Sequence, residues 1–122
     1  MRRTRALALV LVVLLTGCSE PAEPADAPAP SEGDRWACRK LQSTTLDLSE
    51  PMPGDDLAIG RAASGSPHAE TRAAGDALVA AVKQAEGASP GSVAAAGAEV
   101  AIAKARQALG KACISQLGEG VW

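Results

Sequence analysis

A core built without a single Phe or Tyr is the tightest constraint on this chain. Sheets favour β-branched and aromatic residues on their packed faces. Their absence argues against a sandwich or barrel. Ala supplies 27 of the 122 residues, and Ala is the best helix former. The expected fold class is therefore all-α: a small bundle of three or four closely packed helices. The length allows one domain.

The N-terminal region has its own logic. Arg2, Arg3 and Arg5 precede residues 6–15, ALALVLVVLL, an uninterrupted apolar run. As a helix that run spans about 15 Å, half of a roughly 30 Å bilayer core. It is too short to be a transmembrane anchor. A basic start and a short apolar run read as a secretory signal peptide. The run ends in Leu15-Thr16-Gly17-Cys18. This resembles the lipobox of bacterial lipoproteins, in which an aliphatic residue and small residues precede a Cys. The resemblance covers residues 1–19. It implies removal of residues 1–17 and an acyl anchor, diacylglycerol with fatty chains such as palmitate, on Cys18. Two chains suffice for stable anchoring where one is marginal. The implied location is the cell membrane, lipid-anchored on its extracytoplasmic face, with membrane lipid as a partner through Cys18. Arg2-Arg3 also permits a twin-Arg export route.

Residues 18–34 read as the lipidated Cys and a disordered Pro/Ala/Glu tether. Within 19–34 lie four Pro and five acids with no base, and the only apolar side chains are Ala. Such a segment cannot bury enough surface to offset its ordering entropy. At about 3.1 Å per residue it reaches roughly 50 Å. The charge is segregated. Residues 35–122 hold nine bases and nine acids, so the stalk carries all the net negative charge of the processed chain. A neutral exported domain argues against a nucleic-acid partner.

The folded domain is expected over 35–122. Its two cysteines, Cys38 and Cys113, form an even pair in an exported protein, which reads as a disulfide. Closing a loop of about 75 residues contributes roughly 4 kcal/mol in the chain-entropy model. The domain has 18 large apolar residues, few enough that a staple is needed.

Helix signals follow. Asp34 is placed to cap a first helix that runs to Ser43 or Thr44. Residues 46–54 read as a connection with two Pro. Asp55-Asp56 precede a short helix over about 56–64. Ser66-Pro67 and Ser89-Pro90 each resemble a cap followed by Pro at the first helical position. The helices they open run over about 67–86, with Gly87 just past the end, and 90–117, stopping near Gly118. Ala74, Leu78, Ala81, Val82 and Ala85 share one helical face. Ile102, Ala105, Leu109, Ala112, Cys113 and Leu117 share another. Gly97, Ala101, Ala105 and Ala108 form a strip of small residues that permits close helix approach. Helices this rich in Ala are expected to leave no obvious cavity.

Chemical signals are sparse. His68, the only His, is expected on the surface, with Glu70 and Thr71 nearby. Asp55 and Asp56 fit helix capping better than a cation site with Glu50. Arg35, Arg39, Lys40, Lys104, Arg106 and Lys111 read as solvated helix faces. No metal ligand set, phosphate loop or Cys-x-x-Cys occurs, and no cofactor is implied. Trp36 and Trp122 are the only aromatics and the two candidate partner anchors. Trp36 is expected over the disulfide, and Trp122 either folds back on the bundle or meets a partner. The expected role is a binding or structural module of the cell envelope, with an envelope protein as possible partner. The alternatives are an enzyme or accessory of cell-wall metabolism and a small-ligand sensor.

Overall fold

The computed structural model describes residues 28–46, 53–120 and 122. The signal peptide, Cys18, most of the acidic tether and Glu50 lie outside these residues. The described residues form an all-α bundle of four helices. They are α1 (Glu32–Leu46), α2 (Pro53–Ser64), α3 (Ala69–Gly87) and α4 (Val93–Leu117). Each helix packs on the next in sequence, and α1 closes the bundle against α4. No helix among the described residues is long and apolar enough to cross a membrane.

The start of α1 shifts the expected domain boundary. Ser31 Oγ accepts from the Asp34 amide at 3.1 Å, and Asp34 Oδ2 accepts from the Ser31 amide at 3.0 Å. This reciprocal pair is a capping box. Ser31 is the cap, and Asp34 sits a turn inside with no exposed surface. The folded unit thus begins at Ser31, not at residue 35. At the other end the hydroxyls of Ser43, Thr44 and Thr45 donate back to Lys40 and Leu41 carbonyls at 2.8–2.9 Å. They back-bond to carbonyls three or four residues earlier within the last turns of α1, which runs on to Leu46.

The three other helix starts also differ from the expected ones. α2 opens at Pro53, inside the stretch expected as a connection, so Asp55 and Asp56 lie in its first turn and not ahead of it. Ser66 is buried, and its Oγ accepts from the His68 amide at 3.0 Å. Ser66-Pro67 is therefore a turn ahead of α3, whose cap position is His68. Gly91 at φ +75° turns the chain after Ser89-Pro90. Only Ser92 then caps α4, accepting from the Ala95 amide at 3.1 Å. Gly87 is the last helical residue of α3, with extended Ala88 following. Gly118, at φ +81°, ends α4 as expected.

The two apolar faces meet in the core. Ala74, Leu78, Ala81 and Val82 of α3 are buried, as are Ala105, Leu109, Ala112 and Cys113 of α4. Ile59 and Ala63 of α2 and Ala37, Cys38 and Leu41 of α1 complete it. Cys38 and Cys113 are joined as a disulfide, with Cα atoms 5.7 Å apart and no exposed surface.

The close approach lies elsewhere than expected. Gly97 and Ala108 are exposed, and nothing stands within 4 Å of a Cβ built on Gly97. The tight contact is between α2 and α3. A Cβ on Gly75 would lie 2.5 Å from the Ser64 amide nitrogen and 2.7 Å from the Ala63 carbonyl carbon. One on Gly60 would lie 2.9 Å from Val79 Cγ2 and 3.1 Å from the Gly75 oxygen. These two glycines set the spacing of the helices.

Candidate functional site

The end of α4 is tied back to α1 through one side chain. Gln42 donates from Nε2 to the Gly120 carbonyl at 2.7 Å, and its Oε1 accepts from the Trp122 amide at 3.1 Å. The Trp122 indole N–H donates to the Gly118 carbonyl at 2.8 Å. Both polar ends of this segment are thereby satisfied, and the indole packs part-buried against the core cluster. Trp122 folds back on the bundle, the first of the two outcomes the sequence allowed. Trp36, in contrast, keeps 44% of its surface in solvent.

The folded-back indole walls a groove between α1 and α4 of about 660 Å³. Leu41 and Leu46 line its α1 side, and Ala103, Gly110 and Ile114 line its α4 side. This corrects the expectation that Ala-rich helices leave no cavity. Ala103 and Gly110 are too small to fill the space in front of them. Leu46 is 72% exposed and Ile114 45% exposed, so two large apolar side chains of the groove face solvent.

The polar edge of the groove is basic. Lys111 and Arg106 line it with Gln42, Thr45 and Gln107, and no Asp or Glu side chain does. Arg106 is already engaged. It donates to Asp56 Oδ1 at 2.7 Å and to Thr44 Oγ1 at 2.9 Å. The Arg106 and Asp56 side chains are only 17% and 14% exposed. Arg106 thus links three helices and does not stand on a solvated face. Asp55 pairs with Lys40 at 3.6 Å. Both aspartates lie in the first turn of α2, where negative charge suits the helix dipole. Their side chains serve as ion-pair partners, where capping was expected.

On its other side Trp122 walls a second, smaller notch of about 300 Å³ with Arg35, Arg39 and Leu117. Arg39 Nε donates to the Arg35 carbonyl at 3.4 Å, which orients one guanidinium along α1. Among the described residues no carboxylate pairs with Arg35, Arg39 or Lys111.

His68 lies apart from this surface. It borders a cavity of about 140 Å³ with Glu70, Thr71, Ser115 and Gln116. The expected surface position is corrected in part. The residue is half-buried, and its Nε2 is shielded from solvent without a hydrogen-bond partner, as is Gln116 Oε1. The Gln116 amide donates instead to the buried hydroxyl of Thr71. Among the described residues no hydrogen bond joins the His68 ring to Ser115, Thr71 or Glu70. They also contain no group of three His, Cys, Asp or Glu side chains placed to hold a metal ion.

Sequence reasoning did not find Gln42, Leu46 or Ile114 as members of a site. Leu46 stood in a stretch read as a connection. Gln42 meets Trp122 across 80 positions, a separation that leaves no local signal. Comparison of the chain with protein families, curated proteins and solved structures returned no match.

Proposed function

We propose that this chain is a lipid-anchored binding module on the extracytoplasmic face of a bacterial cell membrane, held through Cys18. The anchoring part rests on Arg2, Arg3 and Arg5, the apolar run 6–15 and the resemblance of Leu15–Cys18 to a lipobox. The buried disulfide agrees with an oxidising compartment outside the cytosol. The observation that carries the binding part is the α1/α4 groove, with Leu46 and Ile114 open to solvent and Trp122 pinned as a wall. Clefts of about 300–1,000 Å³ lined mainly by apolar side chains are the usual form of a small-molecule site. That size favours the small-ligand reading over a purely structural spacer.

A photo-cross-linking amino acid at position 114, with a control at exposed Lys83 on α3, tests this in intact cells. A defined adduct from position 114, absent from position 83, supports the module. Adducts of the same kind from both positions, or none from position 114, count against it.

A further inference from the structure

We propose that the α1/α4 groove binds one single-chain anionic amphiphile, a fatty acid, with its acyl chain between Leu46 and Ile114 and its carboxylate on Arg35 and Arg39. The proposal rests on the reading of the groove as the binding face and names its ligand class.

Shape comes first. A methylene group takes up about as much space as a water molecule, roughly 30 Å³. A chain of sixteen carbons then needs about 480 Å³, which the groove of about 660 Å³ accepts. Two such chains, at about 960 Å³, exceed that volume, so a second chain would lie on the open, solvent side of the groove. A helix is about 10 Å across with its side chains and would seat only one face in the groove, whereas a slim, flexible chain can lie within it.

Charge gives the other half. The groove and the notch meet at Trp122, and neither is lined by an Asp or Glu side chain. The notch presents two guanidinium groups with no ion-pair partner among the described residues. Guanidinium forks match a carboxylate in a bidentate manner. Lys111 adds a cation along the groove edge. The Trp122 indole is apolar towards the groove and stands beside the arginines, where an amphiphile changes from chain to head. Its N–H is already held by the Gly118 carbonyl, so the ring has no polar group left to satisfy.

The test uses the whole processed chain supplied with neutral phosphatidylcholine nanodiscs. The probe is a sixteen-carbon fatty acid bearing a diazirine near its tail, and labelled peptides are mapped by mass spectrometry. Label is expected on the peptides that contain Leu46 or Ile114. Excess oleate should lower it about tenfold, and oleyl alcohol or inorganic phosphate far less. Ile114→Trp, which fills the groove, should lower label about tenfold at unchanged helicity. The pair Arg35→Glu and Arg39→Glu should reduce competition by oleate to the level of oleyl alcohol.

Label spread evenly over α2 and α3 overturns the proposal. So does label that persists in a folded Ile114→Trp chain, or stronger labelling by a diazirine phosphatidylglycerol. Displacement by an amphipathic peptide at lower concentration than oleate overturns the acyl ligand and leaves the groove as a binding face. Failure of the chain to enter nanodiscs bears on anchoring alone, since label is read in either state.

Discussion

Gly60 and Gly75 face each other where α2 crosses α3, and a methyl group on Gly60 would come within 3.1 Å of the Gly75 carbonyl oxygen. Nothing in the contact can yield cheaply, because the atoms in the way are largely backbone. A glycine inside a helix costs about 1 kcal/mol relative to Ala. Here the two glycines bring the helices close enough to bury Ile59, Ala63 and Leu78 completely.

Gly75→Ala should therefore destabilise the domain by about 1–3 kcal/mol, the range for overpacked sites, despite the gain in helix propensity. Gly97→Ala, in the open on α4, should stabilise by about 0.5–1 kcal/mol. Urea unfolding followed by circular dichroism measures both. Equal effects of the two substitutions would mean that the α2/α3 contact is looser than described.

Arg106 and Asp56 should be coupled. Removing one partner leaves a largely shielded charge on the other, while removing both does not. A double-mutant cycle of Arg106→Ala and Asp56→Ala should give an interaction energy of about 1–2 kcal/mol. Arg106→Ala also strands the Thr44 hydroxyl as a partnerless acceptor at the end of α1. The single change on α4 should thus cost more than Asp56→Ala.

The helices and their inner faces were legible in the sequence because they are local, periodic signals. Leu78 and Val82, or Leu109 and Cys113, announce a shared face through their spacing. The disulfide was legible from the even count of cysteines in the folded part and the export that the N-terminal residues imply. Cap positions were read less well. Ser89-Pro90 and Ser92 are both serines ahead of an Ala-rich run, and only the turn at Gly91 decides between them. The Gly60–Gly75 contact was missed because a glycine carries no side chain by which to predict its neighbour. The groove was missed for a related reason. It exists where Ala103 and Gly110 fail to fill space, and its Trp122 wall depends on a hydrogen bond donated to a residue 80 positions away.

Opening the Cys38–Cys113 bond should cost about 4 kcal/mol, from a loop whose ends are 75 positions apart. The paired substitution Cys38→Ala and Cys113→Ala should lower the urea midpoint accordingly. Wild-type protein treated with a reductant after denaturation should match it. The groove residues Leu41 and Ile114 flank these cysteines on α1 and α4, so ligand binding should weaken together with stability.

Cys18→Ala tests the anchor. The expected result is accumulation of the unprocessed chain and loss of the mature form from the detergent phase of a phase-partition extract. A cleaved chain that stays with membranes without Cys18 would remove the basis for lipid attachment. The acidic residues of 19–34 offer a second handle. Neutralising Glu20, Glu23 and Asp26 should leave the stability of the bundle unchanged, because the capping pair Ser31 and Asp34 is where the fold begins.

The disulfide also decides what a protease can do to this molecule. Any cut between residues 38 and 113, including the stretches on either side of α2 and α3, leaves the pieces joined by a covalent bond. A nicked chain would run as one band on a non-reducing gel and keep its parts at high mutual concentration, ready to reclose. Cuts outside that ring have different consequences. One beyond Cys113 takes away Trp122 and with it the shared wall of the groove and the arginine notch. One ahead of Ser31 leaves the bundle whole but parts it from everything N-terminal to it. The same molecule can therefore lose its groove wall at one end, be parted from its N-terminal segment at the other, and be nicked in the middle without falling apart.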